Sequence, residues 1–84
     1  AEMSAYVAAK AGVLALMQAV AHEEKAHGVR ANALAPTAIR TAANVEAMGD
    51  AFAYVEREEV ARVVAWLSGD DARHVTGQVL RLGA

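Results

Sequence analysis

The sequence predicts an α/β fold, the tail end of a doubly wound parallel sheet in the order helix, strand, loop, helix, strand. Three observations predict it. Residues 4–26 place apolar side chains at helical spacing, with a glycine stop behind them. Two short apolar runs, 29–35 and 78–82, read as strands, and an amphipathic segment, 58–68, stands between them. Strands joined through a helix pair in parallel by a right-handed crossover, and parallel sheets need both faces covered. Two parallel strands are a poor independent sheet. The order therefore leads us to expect residues 1–84 to be a single partial domain, with further strands upstream.

Each element has its own signals. In the first helix, Tyr6, Val13, Leu14, Met17, Val20 and Ala21 fall near one broad stripe. Ser4 is the expected N-cap. Gly28, after His27, suits the left-handed position that ends a helix. In the run 29–35, closed by Pro36, Val29, Ala31, Ala33 and Ala35 share one face and Arg30, Asn32 and Leu34 the other. Asn32 fits a buried strand only if its amide is hydrogen-bonded. Residues 37–57 show no sustained period. A loop of that length is usually a lid or binding loop, or holds a short helix, for which 42–48 is the candidate. The helix 58–68 carries Val60, Val63, Val64 and Leu67 as its stripe, with Trp66 on the flank, expected to pack against the sheet or a neighbouring subunit. Glu56, Glu58 and Glu59 favour its positive N-terminal end. Residues 74–77 form a turn leading into the last strand.

Composition narrows the function classes. The chain has 84 residues, 56 % hydrophobic and 21 % charged, which excludes a disordered tail. Alanine makes up about a quarter of it; alanine favours helix but buries little area. The core should be thin, and the apolar helix face should want a partner. A net charge of −2 with both signs interspersed points to neither nucleic acid nor membrane. The absence of cysteine removes disulfide and thiolate-metal sites and fits a cytoplasmic location. No signal peptide is visible. The most apolar window, 11–21, is expected to be too short to span a bilayer and is interrupted by Gln18. A first residue of Ala points to a processed or partial chain.

Tyr6 and Lys10 lie four residues apart, so on a helix they share one face about a turn from each other. A free phenol ionises near pH 10, too high for easy proton exchange at neutrality, and a neighbouring cation favours the phenolate. The pair is thus a possible general acid/base, or an ordinary amphipathic helix end. His22 and His27 with Glu23 are similar to the zinc motif His-Glu-x-x-His. At five residues apart, however, the two rings stand about 140° apart on a helix, and no metal site is expected.

The neighbouring residues decide between these readings. Ser4-Ala5-Tyr6-Val7-Ala8-Ala9-Lys10-Ala11-Gly12-Val13 resembles the Tyr-x-x-x-Lys helix of the short-chain dehydrogenase/reductase family. The resemblance continues in register over essentially the whole chain. Residues 29–36 resemble the family's next strand with its Asn and terminal Pro, and residues 36–41 its Pro-Gly-x-x-x-Thr segment. Glu58-Glu59-Val60-Ala61, Trp66-Leu67-Ser68 and Asp71-Ala72 resemble its following helix, and Thr76-Gly77-Gln78-Val79-Leu80 its final strand. The implied fold is the C-terminal portion of a Rossmann-like doubly wound parallel sheet. By this resemblance Tyr6 is the catalytic acid/base of a hydride transfer between NAD or NADP and a carbonyl/alcohol substrate. Lys10 would favour its phenolate and bind the nicotinamide ribose. Backbone from Pro36 through Thr37 to Ile39 would contact the nicotinamide amide, and the Thr41 hydroxyl the nicotinamide or phosphate region. Residues 42–57 would form the substrate lid. The family usually assembles as homo-oligomers, through the long helix and last strand.

The departures are specific. The family's glycine-rich cofactor loop and first five strands are absent from these residues, and Ser4 stands too close to Tyr6 to be the family's catalytic Ser. Thr37 replaces a usual Gly. Arg40 stands where an acidic residue is common; it is expected to be solvated, with a contact to a phosphate or acidic substrate as the second reading. The chain alone is therefore expected to be inactive. The alternatives are a non-enzymatic oligomerising module and a piece without independent function.

Overall fold

The computed structural model describes the backbone of residues 2–83 and the side chains of residues 3–83. In chain order they form α1 (Glu2–Glu23), a 3-10 turn (Lys25–His27), β1 (Ala33–Pro36), α2 (Ala42–Met48), α3 (Arg57–Ser68), a second 3-10 turn (Asp70–Ala72) and β2 (Val79–Leu82). β1 and β2 pair as a two-stranded sheet. Two compact units result. The first takes the chain up to Ala33 together with Val75–Leu80; the second takes Leu34–His74 and the chain from Arg81 onward.

In the first unit, α1 begins before Ser4, which lies inside the helix and not at its N-cap. It also ends earlier than the expected residue 26. The last turn tightens, with His27 N–H donating to Glu24 O (2.9 Å) and Gly28 N–H to Lys25 O (3.1 Å). Such 3-10 closure satisfies carbonyls that a helix end leaves over. Gly28 takes the expected left-handed conformation, at φ 74°. The expected stripe is only partly realised. Ala21 is buried and Leu14 and Met17 half-buried, but Tyr6, Val13 and Val20 are exposed, as are Val7 and Leu16 off the stripe. An alanine-rich helix is apolar on every side, so periodicity does not select one buried face. Residues Met3–Glu23 are also long and apolar enough to cross a membrane by length and composition, which corrects the narrower window 11–21. A core helix passes the same test.

The first strand is shorter than expected because side chains replace its early rungs. Ala31 N–H donates to Thr76 Oγ1 (3.2 Å), and Asn32 Nδ2 donates to Val75 O (3.0 Å) while its Oδ1 accepts from Gln78 N–H (3.1 Å). Asn32 is thus hydrogen-bonded through both ends of its amide. Gly77 N–H reaches Ala31 O (2.7 Å) from a left-handed turn at φ 71°, and backbone pairing continues with Ala33 N–H to Gln78 O (2.9 Å).

In the second unit, Thr37 N–H donates to Leu82 O (2.9 Å). Pro36 lies within β1 and does not follow it. Ala33 and Thr37, four apart, both donate to the second strand's segment, so Pro36 is out of phase with the donors and its missing N–H costs nothing. α2 has the bounds expected of it. Thr41 caps it, its Oγ1 accepting from Asn44 N–H (3.1 Å). α3 begins one residue early, and Val60, Val63 and Leu67 are half-buried as its stripe predicts; Val64 and Trp66 (44 % exposed) lie outside it.

Two substitutions test these bonds. Asn32→Leu strands Gln78 N–H and removes one of the two donors to Val75 O, the other being Arg30 Nη1 (3.4 Å), and should cost about 1–3 kcal/mol in urea unfolding, with Asn32→Asp, which keeps one acceptor, costing less. Thr41→Ala should destabilise the α2 end by about 1 kcal/mol, read as faster exchange of the Asn44 amide, and Thr41→Ser should restore it.

Candidate active site

Tyr6 and Lys10 meet on α1 as the spacing requires. The Lys10 ammonium lies over the Tyr6 ring, 5.8 Å from its centroid. Tyr6 is 59 % exposed, and Lys10 is exposed. The Tyr6 hydroxyl has no hydrogen-bond partner among the described residues. A phenol so placed is open to a ligand oxygen, and the ammonium is held close by helix geometry alone.

Pro36, Thr37, Ile39 and Thr41 come together in the second unit. Their backbone is largely committed. Thr37 N–H is held by Leu82 O, Val55 N–H donates to Ala38 O (2.7 Å), and Asn44 Nδ2 donates to Ile39 O (2.7 Å). Ile39 and Val55 form a parallel bridge, and Arg40 N–H donates to Val55 O (2.9 Å). The Thr41 hydroxyl accepts a bond but donates none among the described residues, so its hydrogen remains for a ligand.

The loop 37–56 is thus folded on itself. Tyr54 (7 % exposed) is its centre, its hydroxyl donating to Gly49 O (2.6 Å) or Asn44 O (3.0 Å). Phe52 packs against its ring at 5.3 Å. Arg40 covers the other side, its guanidinium 4.8 Å from the ring centroid. Arg40 Nε donates to Glu56 Oε1 (2.7 Å) and Nη1 to Asp50 Oδ1 (3.0 Å). Arg40, whose side chain is 37 % exposed, is thus only partly solvated and is paired with two carboxylates. The Glu56 hydrogen bond holds its guanidinium above the ordinary arginine range, outweighing the opposing effect of desolvation. Sequence reasoning missed Tyr54 and this latch, because the partners of Arg40 lie ten and sixteen residues away with no period to connect them. A cavity of about 540 Å³ opens beside the latch, lined by Arg40, Thr41, Val45, Glu46, Glu56 and Arg57 among others. His22 and His27 form no metal cluster; among the described residues no group of three or more His, Asp or Glu side chains could hold a metal ion.

Comparison with known proteins places the chain. Residues 1–83 match the family described as Enoyl-(Acyl carrier protein) reductase. The short chain dehydrogenase/reductase astE of Aspergillus oryzae is 38 % identical over 94 % of this chain and 36 % of its own length. Among solved structures, acetoin dehydrogenase from Enterobacter cloacae superposes with a TM-score of 0.78 at 32 % identity, over 95 % of this chain and 35 % of that one. A 4-hydroxyisoleucine dehydrogenase complexed with NADH and succinate gives a TM-score of 0.75 at 25 % identity, over 95 % and 36 % of the two chains. The chain spans about a third of the length of these relatives. With its two paired strands, its α1 pair and this match along its whole length, the chain belongs to the short-chain dehydrogenase/reductase family, whose C-terminal part it represents.

Proposed function

We propose that this chain is the C-terminal part of an NAD(P)-dependent oxidoreductase that interconverts a carbonyl and an alcohol. The observation that carries the reading is the Tyr6–Lys10 pair, an unpartnered phenol beside an ammonium on one helix face, in a chain of this family. NADH in the structure of a relative supports the nicotinamide cofactor. When bound, that cofactor supplies or accepts the hydride. Tyr6 gives its hydroxyl proton to the substrate oxygen in reduction and takes it back in oxidation. Lys10 favours the phenolate that remains and hydrogen-bonds the ribose hydroxyls.

The second unit's residues fit the nicotinamide end in one respect and narrow the fit in another. The Thr41 hydroxyl, capping α2 through its oxygen, can still donate to the cofactor's amide or phosphate. The Thr37 N–H, bonded to Leu82 O, is committed, which leaves the second lone pairs of the Pro36–Ile39 carbonyls for the amide. Residues 42–57 form the substrate lid. The exposed apolar side chains of α1, Val7, Val13 and Leu16 among them, suit a homo-oligomer built through the first helix and last strand, in the cytoplasm.

The full-length enzyme, produced from the coding sequence extended upstream of Ala1, tests the assignment. Tyr6→Phe should lower kcat by about a hundred- to ten-thousand-fold while NADH or NADPH binding persists. The 84-residue chain alone should neither bind cofactor tightly nor turn over substrate, and clear dehydrogenase activity from it would refute that part.

A further inference from the structure

Arg40 holds two separate stretches of the loop at once. Its backbone lies in the segment that joins Ile39 to Val55 by a parallel bridge, and its side chain reaches Glu56 at 2.7 Å and Asp50 at 3.0 Å across the Tyr54 ring. The contacts are unequal. Asp50 is 87 % exposed, so its ion pair is screened by water and contributes little. Glu56 is half-buried and takes the shorter bond. Tyr54 beneath is buried and anchors its hydroxyl on the C-terminal end of α2. The guanidinium therefore ties 38–41 to 54–56 and, through Tyr54, to α2. Its planar fork makes both carboxylate bonds while its face covers an aromatic ring, which an ammonium cannot do.

Resting on the oxidoreductase reading above, we propose that Arg40 is a positioning residue. It acts through Glu56 and Tyr54 to fix the shape of the Pro36–Thr41 segment, and so sets cofactor affinity without taking part in proton transfer. The segment is backbone that must meet a ligand while most of its own hydrogen bonds are already committed. Small changes in its course would misplace the Thr41 hydroxyl, and misplacement costs binding.

Two measurements test this. The first is amide exchange on the 84-residue chain. Arg40→Ala should speed exchange of the Arg40 and Val55 amides by about ten-fold or more, with the Ala33 amide of the first unit unchanged. Arg40→Lys should restore part of the protection. If Arg40→Ala loses protection throughout α3 as well, Glu56→Gln is the milder variant. It should give a smaller rise at the same two amides, and rates equal to those of the unsubstituted chain would overturn the latch. The second is titration of the full-length enzyme with NADH and NADPH, with kcat read at saturating cofactor. Arg40→Ala should weaken cofactor binding by about ten-fold and leave kcat within about two-fold, with Arg40→Lys intermediate. Faster exchange with unchanged affinity would refute the positioning role. Failure of the unsubstituted enzyme to bind either nucleotide would instead sink the oxidoreductase reading, while the exchange measurement still decides the latch.

Discussion

Four hydrophobic side chains, Ala21, Tyr54, Val55 and Ala72, are buried among the described residues, and two of them are alanines. An alanine brings little area out of water, and hydrophobic stabilisation scales with that area. This shortage of burial governs the rest. The long helix has apolar side chains on all sides and few neighbours to cover them, so Val7, Val13 and Leu16 stand in water. The chain spans about a third of the length of the relatives it matches.

Where burial is scarce, polar side chains take over the definition of the loops. Asn32 uses its amide as a piece of backbone, donating to Val75 O and accepting from Gln78 N–H. Tyr54 fills the small core of the second unit with its ring and closes the α2 end with its hydroxyl. Arg40 then seals the ring from outside. No buried side-chain nitrogen or oxygen among the described residues lacks a partner. Such groups are costly if left unpaired, so each of these networks fixes one arrangement of the chain rather than several.

This division explains what could be read from the sequence. Features set by local geometry were legible: the shared face of Tyr6 and Lys10, the left-handed Gly28, the bounds of α2, and Val60, Val63 and Leu67 of the α3 stripe, though not Val64. Features set by partners distant in sequence were not. The first strand loses its early rungs to Asn32 and to Thr76, more than forty residues on, so a period-2 pattern overstated its length. The apolar stripe of α1 takes in Tyr6, Val13 and Val20, which are exposed among the described residues, beside Leu14, Met17 and Ala21, which are covered at least in part. Arg40 looked solvated because nothing in its neighbourhood signals Glu56, Asp50 or Tyr54. The family resemblance was legible because it rests on ordered short motifs, each tied to a turn, a cap or a helix face.

The two units differ in what each already possesses. The second unit has its geometry set internally, with Thr41 holding α2 by its oxygen. The Tyr6–Lys10 pair has geometry but not environment. The Tyr6 phenol is 59 % exposed and the Lys10 ammonium beside it is exposed as well, so water screens any interaction between them. Raising the effect of Lys10 on Tyr6 therefore requires that water be excluded from around them, and nothing on α1 itself does that. The spacing of Tyr6 and Lys10 is thus set by α1 alone, while the shielding of the pair from water is not.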